Sequence, residues 1–547
     1  LSECGDCRAG CSVINLPREA GGGWDELDAE VSGVIVGGDG SLRLGETRSE
    51  TTFAWIANTR YGTLTKLDLR TGAQTAEYDS VINDASNDAP PAREECDPES
   101  GGGNCPSRTA VDLRGNVYVA NRAFRQQGTV TKIAGDMSDC IDRNGNGRIE
   151  TSRDVDGDGV IEADVTGEYL GQADECILWT VNVGGPDSIP RAVAIDADGF
   201  VWVGLYQEFR VVQLEPADGA RRRTVNLFRR NFRPYGAAIG GDCTVWFAES
   251  FTDRVLGINA ASGSVTHETM AFSESTSCSG SYGIAIDTRN RVWVAGLQCT
   301  SAFRYDPPTD TWTEVVLPDS GATRGIAADD LGNIYVGASH TYINITPLGT
   351  LTAGDPVARV TRFRADDGGD IRIFGTEADP LPGLGTVGVG LDSERNIWLV
   401  NQESGTTTRV NTETGASREY PVGDTPYTYS DFTGFALRTF TVPNGFFRTT
   451  VEGCASGPTE WESLTWDATT PRGTAVEVRV RAAGTRAGLS EATWIGPFTE
   501  EPVDLNASPG PVPRQRFLEV EITLTSEDDS RTPRVDSLDI QLNCPAG

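Results

Sequence analysis

Oxygen donors fall on alternate positions through "DRNGNGRIETSRDVDGDGVIEAD", residues 142–164. The first run offers Asp142, Asn144, Asn146, the carbonyl of Arg148 and Glu150. The second offers Asp154, Asp156, Asp158, the carbonyl of Val160, Glu162 and Asp164. Gly147 and Gly159 stand sixth in their runs, where a chain wrapping an ion must turn sharply. A hard cation takes six to eight oxygens from such a loop, so the pattern predicts one or two structural Ca2+ ions. The twelfth position, where a bidentate Glu would close the site, holds Arg153 in one loop and Val165 in the other. Asp154 and Asp164 are the expected substitutes. No helix pair flanks the loops, which points to stiffening of a surface and not to calcium sensing.

Cys140 and Cys176 frame this segment. Residues 140–176 supply too few apolar side chains for a core, so a Cys140–Cys176 disulfide and the ion are expected to do the folding. The loops resemble the short tandem calcium loops of dockerins and thrombospondin-type repeats more than paired EF-hands.

The surroundings are a repeat. Gly-(Ile/Ala)-Ala-x-Asp, a short turn and an apolar–aromatic–apolar strand recur as "TAVDLRGNVYVAN" (109–121), "RAVAIDADGFVWVG" (191–204) and "YGAAIGGDCTVWFAES" (235–250). Three further copies are "YGIAIDTRNRVWVAG" (282–296), "RGIAADDLGNIYVGA" (324–338) and "GVGLDSERNIWLVN" (388–401). Their aromatics are Tyr118, Trp202, Trp246, Trp293, Tyr335 and Trp398, with clean intervals of 44, 47 and 42 residues. Four short strands in that length make one propeller blade. Residues 53–72 hold a blade's second and third strands, with Trp55 as the aromatic, but lack an opening strand. "DFTGFALRT" (431–439) looks like that missing strand. The expectation is an all-β chain: a seven-bladed β-propeller over 51–440, closed by N- and C-terminal strands of one blade, with the calcium insertion between two strands of another. The aromatics read as packing between blades, not as a ligand stripe.

Past residue 440 the pattern becomes period-two alternation broken by Pro and Gly, which predicts a β-sandwich over 441–547. Residues 1–50 read as an irregular Cys/Gly-rich lead-in. Twelve cysteines, an even number, suit an oxidising compartment. The expected pairs are Cys96–Cys105, Cys140–Cys176, Cys278–Cys299 and Cys454–Cys544. Cys4, Cys7 and Cys11 lack a nearby fourth zinc ligand and read as disulfide cysteines, one of them a partner for Cys243.

The net charge is −33, and only Lys66 and Lys132 among the bases are lysines. That excludes nucleic acid as a partner, which needs a basic field. No apolar run is long enough to span a membrane. The chain begins at Leu1 and reads as a mature exported protein, extracellular or at the cell surface, whose signal has been removed. "RRRTVNLFRRNFR" (221–233) reads first as a solvated strand paired with local acids, and second as a docking patch for an acidic partner, including another copy of this chain.

"VWFAESFTDRVLGINAASG" (245–263) resembles blades of the streptogramin-lyase-type propellers, and other copies resemble NHL and YVTN propellers equally. The resemblance covers about residues 50–440 and implies the fold. For the lyases it also implies metal-assisted elimination by His and Glu on the central face. Glu249 stands at that Glu position, but Tyr235 and Tyr282 precede the glycines where those enzymes carry His, and the chain has only His267 and His340. A lactonase-type channel ion would draw on Glu249, Asn58, Asn121 and Asn401. The favoured reading is a calcium-stabilised binding or structural protein of the cell surface, with a protein or glycan partner or self-assembly into a layer or fibre. A metal-dependent lyase or lactonase is the alternative.

Overall fold

The computed structural model describes the chain except residues 1–10, 18–23, 25–26, 28, 33, 38–39, 45–51, 82–95, 97–104, 123, 197, 251–252, 271–277, 279, 346–350, 441–443, 456, 508–510, 527–531 and 545–547. It is all-β apart from short helical turns and one helix, α1 (Phe435–Phe440). Two compact units are present: Leu1–Glu50 with Ile141–Ile149 and Thr441–Gly547, and Thr51–Cys140 with Glu150–Phe440.

The larger unit contains six four-stranded antiparallel sheets and a three-stranded one. The first strands of the six are Pro106–Val111, Pro190–Ile195, Pro234–Ile239, Ser281–Ile286, Ala322–Ala328 and Thr386–Leu391. Consecutive first strands pack side by side. All six, with residues 430–437, line a single apolar cavity of about 60 Å³. Meander sheets set radially about one axis are the arrangement of a β-propeller.

The repeat has a physical explanation. Its Asp accepts the backbone N–H of the residue four positions on: Asn116 to Asp112 (2.9 Å), Phe200 to Asp196 (2.9 Å), Arg291 to Asp287 (3.1 Å), Asn333 to Asp329 (2.7 Å) and Asn396 to Asp392 (2.8 Å). The same carboxylate then accepts from the aromatic six residues on: Trp202 Nε1 (2.7 Å), Trp293 Nε1 (2.8 Å), Tyr335 OH (2.9 Å) and Trp398 Nε1 (2.9 Å). Asp thus fixes the turn and satisfies a donor that burial removes from water. Gly240 occupies the Asp position in the third copy, and Trp246 Nε1 is there left without a partner. The seven aromatics, Trp55 included, are all buried. As the sequence implied, they are interior packing, each contributing about 4–6 kcal/mol of transfer free energy as an upper bound.

The three-stranded sheet comprises Phe53–Asn58, Thr63–Asp68 and Gln74–Asp79. Residues 425–432 run along its first strand. Trp55 N–H donates to Phe432 O (2.9 Å), Tyr427 N–H to Ala57 O (2.8 Å), and Asn58 and Pro426 form a bridge. The predicted opening strand at 431–439 is therefore misplaced. The pairing segment lies a few residues earlier, and Phe435–Phe440 is helical. Leu437 N–H bonds Asp431 Oδ2 (3.1 Å) and Phe435 N–H bonds Thr433 Oγ1 (3.4 Å). Asp and Thr just ahead of an apolar run are helix-start chemistry, which overrides the β reading of "GFALRT".

The smaller unit has a six-stranded and a five-stranded sheet whose facing side chains, including Trp24, Phe447, Trp461, Leu464, Val478 and Leu538, form one sandwich-like core. The lead-in is not irregular, contrary to the sequence reading. Cys11–Leu16 pairs with Arg534–Asn543 from Cys11↔Asn543 to Leu16↔Leu538, and Ala29–Ser32 pairs with Asn444–Glu452. These strands are too short, and too broken by glycine, to show alternation in sequence.

The four expected disulfides are present, with Cα separations of 5.3 Å (Cys96–Cys105), 4.3 Å (Cys140–Cys176), 5.1 Å (Cys278–Cys299) and 5.6 Å (Cys454–Cys544). Cys243 differs from expectation. It is an exposed free thiol on a turn with φ of 59°, so it does not tie down the lead-in. Cys4 and Cys7 lie outside the described residues. No helix of the described chain is long and apolar enough to cross a membrane.

Candidate metal loops and a central arginine–tyrosine cluster

The insertion lies where the sequence placed it, between Gln127–Ile133 and Ile177–Pro186. Its two loops repeat one set of hydrogen bonds. Asp142 accepts from Gly145 N–H (2.7 Å) and Gly147 N–H (2.7 Å); Asp154 accepts from Gly157 N–H (2.6 Å) and Gly159 N–H (2.9 Å). Asn144 then holds Asn146 N–H (3.0 Å), as Asp156 holds Asp158 N–H (3.1 Å). Asn146 holds Arg148 N–H (2.9 Å), as Asp158 holds Val160 N–H (2.8 Å). All four glycines have φ between 70° and 86°, a region costly for any side chain with a Cβ.

Two acid groups form in the second loop: Asp154–Asp156–Glu168 and Asp156–Asp158–Glu162. Within each, one oxygen per residue lies within 4.8 Å of the others. Oxygens around one Ca2+, at about 2.3–2.6 Å from the ion, can be no more than about 5 Å apart, so the spacing fits. One Glu162 carboxylate oxygen is buried and has no hydrogen-bond partner. Desolvation, then the charges of Asp158, Glu168, Asp156 and Asp164, push the Glu162 pKa up, a strain that a cation would relieve.

Glu168 was not anticipated. Its carboxylate is buried and accepts the N–H groups of Glu162 (2.8 Å), Val155 (3.0 Å) and Asp156 (3.4 Å). The Glu162 bond is the main reason its pKa falls. Glu168, not Asp164, joins Asp154 and Asp156. Asp174 and Glu175 act similarly upstream: Asp174 takes Ser152 N–H (2.7 Å) and Glu175 takes Glu150 N–H (2.9 Å). All three lie beyond a twelve-residue loop, so loop spacing carried no signal for them.

The second loop docks on the three-stranded sheet. Gln74 N–H donates to Gly159 O (2.9 Å), Ile161 N–H to Gln74 Oε1 (3.2 Å) and Glu77 N–H to Ser152 Oγ (2.9 Å). Tyr169 OH bonds Asp79. The insertion thus covers an edge strand whose N–H groups would otherwise be open to pairing.

A second constellation lies at the axis. The residue before the Gly or its equivalent is Ser107, Arg191, Tyr235, Tyr282, Arg324 and Val387 in the six copies, and in the first copy Arg108 stands at the Gly position itself. Segment 425–432 adds Tyr427 and Tyr429. Arg191 Nη2 donates to Tyr429 OH (2.8 Å), Tyr427 OH (3.0 Å) and Tyr235 OH. Arg324 donates to Tyr282 OH (3.2 Å), which bonds Tyr427 OH. The Arg108 guanidinium lies 3.6 Å over the Tyr429 ring, and its side chain is fully buried. Gly236 leaves the room it needs, since a Cβ there would meet both its terminal nitrogens at 3.3 Å. Arg122, also buried, bonds Cys105 O (3.2 Å) and Thr59 Oγ1 (3.3 Å). At the rim, His340 Nε2 meets Glu403 Oε1 at 2.9 Å, and burial holds His340 below the ordinary imidazole range despite that partner.

The candidate channel-ion residues are each engaged by neighbouring side chains. Asn58 bonds Thr65 (2.8 Å), Asn121 bonds Thr129 (3.1 Å) and Asn401 bonds Thr408 (2.8 Å), each within its own sheet. Glu249 is neutralised by Arg254 at 2.6 Å. The arginine-rich stretch follows its first reading, with Arg222–Glu215 at 3.2 Å and Arg230–Glu268 at 2.5 Å.

No protein-family model matches this chain, and no curated protein matches it. Among solved structures, it is similar to virginiamycin B lyase from Staphylococcus aureus, at 15% identity over 58% of this chain and 84% of that one, with a TM-score of 0.40. It is also similar to a streptogramin B lyase, at 13% identity over 71% and 94%, with a TM-score of 0.41. A third is the Cps50 (Swd1) beta-propeller domain of Myceliophteria thermophila, at 12% identity over 57% and 85%, with a TM-score of 0.38. These are low-identity likenesses, and what those proteins act on is not carried over to this chain.

Proposed function

We propose that this chain is a calcium-stabilised β-propeller binding or structural protein of the extracellular space or cell surface. In this reading the propeller has seven blades, the seventh closed where residues 425–432 meet Phe53–Asn58, and a β-sandwich follows. Ca2+ sits in the second loop on Asp154, Asp156, Asp158 and Glu162, with the carbonyl of Val160 and with Glu168 fixing the loop. The first loop repeats the same turns with Asp142, Asn144, Asn146 and Arg148. The four disulfides support an oxidising compartment. The net charge of −33 disfavours nucleic acid and suits a protein or glycan partner, or further copies of the chain.

The observation that carries this reading is the partnerless, buried carboxylate oxygen of Glu162 among the acids of a segment with little core of its own. Thermal unfolding of the full chain in Ca2+ against chelator tests it. At Ca2+ a hundredfold above Kd, stability is expected to rise by about 2.7 kcal/mol. The response is expected to vanish in Asp156→Asn/Glu162→Gln. An unfolding midpoint identical in Ca2+ and chelator rejects calcium stabilisation. Sedimentation across protein concentration, with and without Ca2+, tests self-assembly.

A further inference from the structure

Formal positive charge accumulates at the axis of a protein that is otherwise strongly acidic. Among the described residues, no carboxylate lies within 4 Å of Arg108, Arg122, Arg191 or Arg324. Their oxygen partners are phenols, a threonine hydroxyl, backbone carbonyls and the Gln402 amide. Burying a guanidinium without a counter-charge is costly, and a buried N–H without an acceptor adds to the cost. Several such donors occur here: Nε and Nη2 of Arg108, Nε of Arg191 and Nε of Arg324 are buried and unpartnered. They sit on one layer of the fold: two of the six first strands carry arginine and two carry tyrosine at the same repeat position, and Arg108, one position further on in its own strand, lies against the Tyr235 and Tyr429 rings. Tyrosine hydroxyls are donors as well as acceptors, so the layer is rich in N–H and O–H groups and poor in acceptors.

We propose that this layer is a binding site for a small oxyanion, a carboxylate or an inorganic oxyanion. Arg191 and Arg324 would supply the charge-assisted contacts, Arg108 would lie behind them, and the tyrosine hydroxyls would turn toward the anion. A guanidinium matches such groups with two parallel N–H donors, which an ammonium does not. Arg324, the least buried of the three arginines, lies on the side of His340 and Gln402 and marks the entrance. Immediately along the axis lies the apolar cavity of about 60 Å³, walled by residues such as Ala194, Ala238 and Ile284, which gives room for a short hydrocarbon tail. The site uses none of the calcium-loop residues and is independent of that reading.

An internal anion is the competing solution. Burial would raise the pKa of Tyr427, but Arg191, then Arg324 and Arg122, bring it well below the ordinary phenol value, so a phenolate could balance the charge instead. The two solutions separate by experiment. Isothermal titration of the full chain with acetate, phosphate and sulfate, at constant ionic strength and with chelator present, is expected to show saturable one-to-one binding of at least one of them. Affinity is expected to fall tenfold or more in Arg324→Gln, at the rim where folding is least at risk, and in Arg191→Gln. Tyr427→Phe, which removes one hydroxyl and leaves every guanidinium in place, is expected to weaken binding by less than either arginine variant does. Absence of saturable binding by all three anions overturns the proposal, as does binding indifferent to both arginine variants. A phenolate absorption band present at neutral pH and lost in Tyr427→Phe overturns it too, since the counter-charge is then internal.

Discussion

Buried arginines are treated oppositely in the two units. On the five-stranded sheet of the smaller unit, Arg448 bonds Glu521 at 2.9 Å and Glu30 at 2.6 Å, Arg479 bonds Glu521 at 2.8 Å, and Arg481 bonds Glu519 at 2.5 Å. The three guanidinium groups also gather over the ring of Trp494. In the propeller, Arg108, Arg191 and Arg324 meet phenols and carbonyls instead. In the cross-strand Arg–Glu ladder three guanidinium groups face three carboxylates, so the charge balances within the sheet and its role ends with holding strands in register. The axial layer is unbalanced, and that imbalance is what makes it a candidate for binding.

The comparison sharpens under substitution. Glu521→Ala takes a carboxylate from both Arg448 and Arg479 and is expected to cost about 3–5 kcal/mol in chemical unfolding of the full chain. A cost below about 1 kcal/mol would mean that the ladder is not the stabilising device it looks to be. Lys66 is another propeller cation with no carboxylate in contact among the described residues. Its ammonium donates to Gly135 O (2.6 Å) and lies 4.0 Å over the Phe53 ring. Burial, only partly opposed by Asp136 and Asp174, lowers its pKa to about 8. The folded state therefore binds this proton less tightly than the unfolded chain does. The penalty is present in full below pH 8 and is relieved as pH climbs toward the unfolded value. Unfolding free energy is expected to increase between pH 8 and pH 10, by on the order of 2–3 kcal/mol. Lys66→Met should flatten that slope. The smallest effect belongs to a pair open to water: Arg514–Glu460, at 2.5 Å with the arginine side chain 62% exposed. Arg514→Ala is expected to change stability by less than about 1 kcal/mol.

Repetition made much of the propeller legible. A turn-forming Asp and an aromatic six residues on recur because each bonds the other, and such a rule leaves a trace in every copy. The turns of the acidic loops were legible for the same reason, since alternate oxygens and two glycines are local features. Contacts between distant segments left no such trace. Glu168 closes the acid group from beyond the loop, Cys11–Leu16 finds its partner at the far end of the chain, and Asp431 with Thr433 turns a strand-like sequence into a helix start. The axial cluster was half visible. Tyr235 and Tyr282 were noticed as departures from a histidine pattern, but Arg108, Arg191 and Arg324 belong with them only once the six strands share an axis.

The sheet at Phe53–Asp79 also sets a timetable. Ala57 N–H waits for Thr428 Oγ1, 371 residues further along, at 2.8 Å. At about 5–20 residues synthesised per second, that acceptor emerges roughly 20–70 s after its donor. The opposite margin of the same sheet waits far less, because Ile161 and Gln74 are only 87 residues apart. The segment carrying the acidic loops therefore reaches its side of an unfinished sheet first, and shields that margin from stray pairing while the rest of the ring is still being made.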